Sequence, residues 1–339
     1  MHGHSEGSAI RRERLDGLDA VKGLCIALVV LIHAAPADAE AWSTHVVGGV
    51  ARLAVPVFLG VTGFLAGWKA MDRARFARSV WTFARLHFLY GAFYGVLLAL
   101  VVGLPEPVGI RFLLLRFGEA AYPGQYYFVV LIQTFALAAL LARGRAWRTP
   151  AGVAVAAAGA VIGCAALFAA RALEADAGGA RIAWRLASTP NWVWLWFVYF
   201  ALGVVLGERA RRGPASSPRV GVALAAAGVA VGAIAVPAIP PWPEPSHPPY
   251  AQLHVFAGSL LVVAALPALA TARAPRWLLR LGRDSFGVFV LNPALLLALE
   301  RAFGAPTSIP DSLARTAAAI VAAVGGTAVL RRVAPWSLP

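Results

Sequence analysis

Ten stretches of this chain are long and apolar enough to lie in hydrocarbon, and they constrain its fold more than anything else in it. They fall near 18–36, 46–68, 79–104, 124–142, 150–171, 190–208, 218–238, 251–271, 284–300 and 313–330. Inside a bilayer a segment must satisfy its own backbone polar groups, so each stretch reads as a helix. A strand barrel would instead show short segments alternating with period two. Only 14% of the 339 residues are charged and 60% are hydrophobic, whereas soluble domains are about a quarter charged. The expected fold class is therefore all-α: a polytopic integral membrane protein of about ten transmembrane helices with both termini cytoplasmic. Residues 1–15 read as a disordered cytoplasmic N-terminus, 16–332 as one transmembrane domain and 333–339 as a short C-terminal tail.

A net charge of +14 suggests nucleic acid until its distribution is considered. With the N-terminus inside, 21 of the 30 Lys and Arg residues fall at cytoplasmic span ends, among them Arg11, Arg73, Arg148, Arg212, Arg283 and Arg332. Such a bias on every second loop is the positive-inside pattern, and it argues against nucleic-acid binding. Arg11–Arg14, an apolar run and Ala37-Asp-Ala39 have the outline of a signal peptide, but Lys22 interrupts the run, so an uncleaved first span is expected. Cys25 and Cys164 lie in different apolar segments and make neither a metal cluster nor a disulfide framework; no metal is expected. The Ala/Gly/Val-rich stretches 151–170 and 221–236 permit close helix packing.

The first span carries the main chemical lead. Lys22 and His33 are eleven residues apart, about 1100° on a helix, so they share one face, and Asp19 lies near it. Ionisable groups in a bilayer are costly and mark substrate, ion or proton paths. Lys22 and His33 are roughly 16 Å apart along the axis, too far to act as a nucleophile–base pair. The arrangement suits a cation near the inner boundary for an anionic ligand, and an imidazole deeper in for proton transfer. The plainer readings are a snorkelling Lys22 paired with Asp19 and an interfacial hydrogen bond for His33. Arg52 lies at a depth comparable to His33, and Pro56-Val-Phe-Leu-Gly-Val-Thr-Gly-Phe-Leu65 leaves room for a bend or for close helix packing.

Together these segments resemble the acyltransferase-3 family of membrane acyltransferases. Asp19-x-x-Lys22-Gly-Leu-x-Ile-Ala-Leu-Val-Val-Leu-Ile-His33 is similar to its opening signature, Arg or Lys, then ten intervening residues, then His. Pro56-Val-Phe58-Leu59-Gly-Val-Thr62-Gly63 is similar to its Phe-Phe-x-x-Ser-Gly segment. The basic inner loop with Arg75 and Arg78, then Arg85, resembles the arginines that precede the third span. Gln125-Tyr-Tyr-Phe128, Tyr199-Phe-Ala-Leu-Gly203 and Leu281-Gly-Arg-Asp-Ser-Phe-Gly-Val-Phe-Val-Leu-Asn292-Pro293 follow in the family's order. The resemblance covers about residues 14–330. Two positions depart from it: Lys22 stands where Arg is commoner, and Asn292 where His is frequent, which removes any proton transfer by that residue.

The resemblance implies O-acyl transfer, expected to be acetyl, from acetyl-CoA or another acyl-CoA to a hydroxyl of an envelope glycan or other extracytoplasmic acceptor. It points to a multi-pass enzyme of the bacterial plasma membrane. As catalytic residues, His33 is expected to accept the proton of the attacking hydroxyl or to help pass the acyl group outward, and Arg52, from its depth alone, to stabilise the oxyanion or orient the acceptor. Lys22, Arg75, Arg78 and Arg85 are expected to hold the donor's phosphates, and Phe58, Thr62 and Gly63 to let its arm approach the backbone. A transporter or flippase for a lipid-linked glycan or small anion is the rival reading, and a non-catalytic membrane scaffold a third.

Overall fold

Asp72 shows how local chemistry sets the helix boundaries. Its side chain accepts a hydrogen bond of 2.8 Å from the Arg75 backbone N–H, satisfying one of the donors that a helix start leaves unpaired. The helix that follows therefore begins at Arg73, ahead of the hydropathic stretch, and Arg75 and Arg78 lie on it instead of in the expected loop. A computed structural model describes residues 15–35, 46–102, 124–144, 146–174, 193–213, 217–234 and 252–339. The expected disordered segment 1–15 falls outside these residues apart from Leu15. The helices are α1 (Asp16–Ala34), α2 (Ala54–Trp68), α3 (Arg73–Val102), α4 (Tyr126–Leu141), α5 (Pro150–Glu174), α6 (Val193–Arg212), α7 (Pro218–Ala233), α8 (Leu253–Leu269), α9 (Arg276–Arg283), α10 (Ser285–Phe303) and α11 (Ile309–Val333). Short 3₁₀ turns occupy Val50–Leu53, Ala146–Arg148 and Pro335–Ser337, and no strand occurs among the described residues.

Each of the ten apolar stretches overlaps one of the longer helices; the eight-residue α9, basic and amphipathic, is the addition that hydropathy does not anticipate. Asp16–Ala34, Val50–Trp68, Val193–Arg212, Ser285–Phe303 and Ile309–Val333 are long and apolar enough to cross a membrane. The protein is an all-helical membrane protein.

The most extensive seam is between α2 and α6. A β-carbon on Gly63 would collide with the Phe200 carbonyl, one on Gly67 with that of Val204, one on Gly203 with that of Gly60, and one on Gly207 with that of Phe64. In lipid, where apolar side chains gain little by leaving the solvent, such backbone-to-backbone approach supplies the packing. Gly228 on α7 and Gly258 on α8 face each other in the same way.

At the end of the bundle where α1 begins, ion pairs join four helices. Asp19 pairs with Lys22 at 2.7 Å and with Arg283 at 3.6 Å, while Asp16 meets Arg283 at 3.5 Å. Asp284 is paired with Arg331 of α11 at 2.5 Å. Arg148 braces the same end: it reaches Glu208 of α6 and the Met71 carbonyl, both at 3.0 Å, and stacks over Trp147.

Pro293 interrupts α10, and two side chains repair the break. Proline has no N–H to give to the Phe289 carbonyl; Asn292 Nδ2 donates to that carbonyl instead, at 2.7 Å. In the next rung the Tyr94 hydroxyl donates to the Val290 carbonyl at 2.6 Å and accepts from the Ala294 N–H at 3.2 Å. Tyr94→Phe leaves both backbone groups without this partner in a buried setting, which costs about 1–3 kcal/mol. The expected result is a lower midpoint of thermal unfolding in detergent at unchanged helix content, and an unchanged midpoint would show that the bridge contributes nothing.

Candidate functional site

His33 lies one residue from the end of α1. Its imidazole faces the turn that opens α4, where Gly124 adopts φ +90°, a conformation glycine tolerates and side chains resist. A β-carbon on Gly124 would also sit 3.2 Å from the Phe289 ring edge and 3.9 Å from His33 Nε2. Glycine there lets α1, α4 and α10 converge on one point. Arg52, at the end of the 3₁₀ turn before α2, lies close enough for its charge to act on His33.

Thr62 reaches the same region indirectly. Its hydroxyl donates to the Phe58 carbonyl one turn back at 2.9 Å and is hydrogen-bonded to the Tyr127 hydroxyl. Tyr127 in turn lies beside Cys25 and packs its ring edge-on to Phe289, with centroids 5.7 Å apart. Gly63 behaves differently. It turns towards α6 against the Phe200 backbone, so the structure assigns it to the helix seam and keeps it apart from His33. Phe58 is half-buried against the apolar core.

Two buried polar residues join the cluster that were not among the expected site residues. Gln125, fully buried next to Gly124, has its amide nitrogen 3.5 Å from Nδ1 of His87 on α3. His87 is buried between Phe88 and Phe128. The available signal was an ionisable residue inside an apolar helix, the same one that marked His33. Asn292 is the other, 1% exposed and one turn beyond Phe289 on α10.

The remaining expected residues gather at the basic end. Lys22 is paired with Asp19 on its own helix. Arg75, Arg78 and Arg85 are exposed on α3. Spacings of three and seven residues put them along one side of that helix. Arg75 donates to the Lys69 carbonyl at 3.3 Å, and Arg85 donates to the Trp336 carbonyl at 3.0 Å. Beside it the Tyr90 hydroxyl donates to the Ser337 carbonyl, also at 3.0 Å, so the turn 335–337 is fastened along α3. Lys22 and the α3 arginines stand on helices with different main neighbours: α1 packs on α9, α2, α10 and α11, and α3 mainly on α4. Among the described residues no group of three His, Cys, Asp or Glu is arranged to hold a metal.

The molecule thus has an interior polar cluster around His33 and a basic end roughly 16 Å away along α1. A family model described as an acyltransferase domain matches residues 15–332. The chain belongs to the acyltransferase-3 family. It is therefore an acyltransferase enzyme, and the match spans all the helices described above. Comparison with curated proteins and with solved structures finds no match.

Proposed function

We propose that this acyltransferase moves an acetyl group from acetyl-CoA at the cytoplasmic face to a hydroxyl of an extracytoplasmic acceptor, an envelope glycan in the first instance. In this reading the ten long helices all cross the bacterial plasma membrane, both termini are cytoplasmic, and the basic end is the inner face. The observation that carries it is the approach of Arg52 to His33 inside a membrane-embedded acyltransferase. His33 Nε2 takes the proton of the attacking hydroxyl as its oxygen bonds to the thioester carbonyl carbon. Arg52 faces the oxyanion of the resulting tetrahedral adduct. The adduct expels the thiolate, breaking the carbon–sulfur bond, and the thiolate takes the proton from His33. The products are the ester and free CoA, with the imidazole restored.

The donor's phosphates would then be held by Lys22, Arg75, Arg78 and Arg85, which offer positive charge at the face where CoA is made available. Arg85 would exchange its Trp336 carbonyl for a phosphate, a stronger charge-assisted partner. Thr62 and Phe58, tied through Tyr127 to the floor of the cluster, would shape the path of the donor arm.

Lys22 separates this reading from the plainer one. Lys22→Ala is expected to raise the KM for acetyl-CoA several-fold while kcat changes little, measured by release of the free CoA thiol. Asp19 keeps Arg283 as a partner in that variant, so the fold should survive. An unchanged KM with a lowered unfolding midpoint would make Lys22 a structural cation and remove it from the donor site.

A further inference from the structure

The Asn292 carboxamide is turned by its own helix. Its nitrogen donates to two backbone carbonyls, Phe289 at 2.7 Å and Val288 at 3.1 Å. The first of these is the carbonyl that Pro293 deprives of its usual donor. Two carbonyls on one side fix the amide's orientation, because the reverse would set oxygen against oxygen. Oδ1 therefore faces away from the α10 backbone. It is buried and has no hydrogen-bond partner among the described residues. An unpaired buried acceptor is costly, and more so where no water competes.

Asn292 lies in the His33 neighbourhood. Phe289, whose ring edge meets Gly124 beside His33 Nε2, is three residues earlier on the same face of α10. The axial step from Phe289 to Asn292 is about 4.5 Å.

Resting on the acyl-CoA reading above, we infer that Asn292 Oδ1 binds the donor: it accepts a hydrogen bond from the pantetheine amide N–H nearest the thioester. That amide has to enter an apolar interior, where its N–H needs a partner as much as Oδ1 does. It is separated from the thioester carbonyl carbon by four bonds, roughly 5 Å when extended, a reach comparable to one helical turn. Tyr127 and Phe289 flank the arm on the apolar side. The residue is thereby a donor-binding group, and its nitrogen and oxygen have separate duties: one completes the helix and the other reads the substrate.

The test compares two small donors on the full-length protein in detergent or vesicles: S-acetyl-N-acetylcysteamine and its oxygen isostere, S-(2-acetoxyethyl) thioacetate. They differ only in the amide N–H, which an ester oxygen replaces. The wild-type protein is expected to favour the amide about tenfold in kcat/KM, as one neutral hydrogen bond with a buried acceptor allows. Asn292→Ser, whose hydroxyl can still serve the carbonyl one turn back but offers no acceptor on the far side, is expected to bring that ratio close to one. Asn292→Asp, whose carboxyl in this apolar setting is held as the neutral acid, can donate its O–H to the Phe289 carbonyl and keep an acceptor oxygen on the far side; it is expected to retain the preference, which also covers a poorly folded serine variant. No preference in the wild-type protein, or an undiminished one in the serine variant, overturns the inference. A wild-type protein that does not consume acetyl-CoA at all would instead overturn the donor reading on which it rests.

Discussion

Replacing His33 by alanine is expected to lower acyl transfer by at least a hundredfold, within the range of about 10²–10⁴ that a positioned proton acceptor contributes. The loss should fall on kcat, with the KM for the donor nearly unchanged, because the phosphate-binding charge lies at the other end of α1. The fold should persist: the imidazole is only half-buried, and the helix around it is held by Gly23 against α9 and by a core of Ile26, Val29 and Val30. Thiol release and thermal unfolding, measured on the same preparation, check both halves. Normal turnover in His33→Ala would end the assignment, and loss of the fold would show that His33 is a structural residue.

Gly63→Ala is expected to act through the fold. A β-carbon there meets the Phe200 carbonyl, and the neighbouring Gly67, Gly203 and Gly207 hold the two backbones equally close. Neither helix can step aside at one point without opening the whole seam. Overpacking of this kind costs about 1–3 kcal/mol, occasionally more. The expected outcome is poor accumulation in the membrane and a lowered unfolding midpoint, with donor KM unaltered in the molecules that remain folded. If the glycine instead gave a donor arm access to the backbone, alanine would raise the donor KM at constant stability.

His33 and Arg52 stood out in the sequence because charge in hydrocarbon is conspicuous, and an apolar stretch overlies each of the ten longer helices, although the second stretch begins at 46 and α2 only at Ala54. The boundaries it missed are those where polar side chains extend a helix past its apolar stretch, as Asp72 does for α3 and Ser308 for α11, whose N-cap oxygen accepts from the Asp311 N–H. Gly63 illustrates a different limit. Small residues advertise close approach, but nothing in the pattern says whether a ligand or another helix will approach, and here it is α6.

Tyr127, His87 and Asn292 were hidden for a third reason. Each gains its meaning from a partner far along the chain: Thr62 for Tyr127, Gln125 for His87, and for Asn292 the region where α10 meets α1 and α4. The hold of Trp336 on Arg85 spans 251 positions, a pairing that no local pattern encodes. Asn292 even reads as a loss, a residue without the proton chemistry of the histidine often found there. Its cap on Phe289 becomes visible only once Pro293 is seen inside a helix.

The central claim is that His33 and Arg52 work on an acyl group delivered by CoA and passed to a hydroxyl. Membranes containing the protein, supplied with acetyl-CoA labelled in the acetyl group and with a hydroxyl-bearing envelope glycan, test it directly. Label is expected to leave CoA and appear as an ester on the glycan, in step with release of free thiol, and His33→Ala membranes are expected to show neither. Glycan crossing the membrane with no consumption of acetyl-CoA would contradict it.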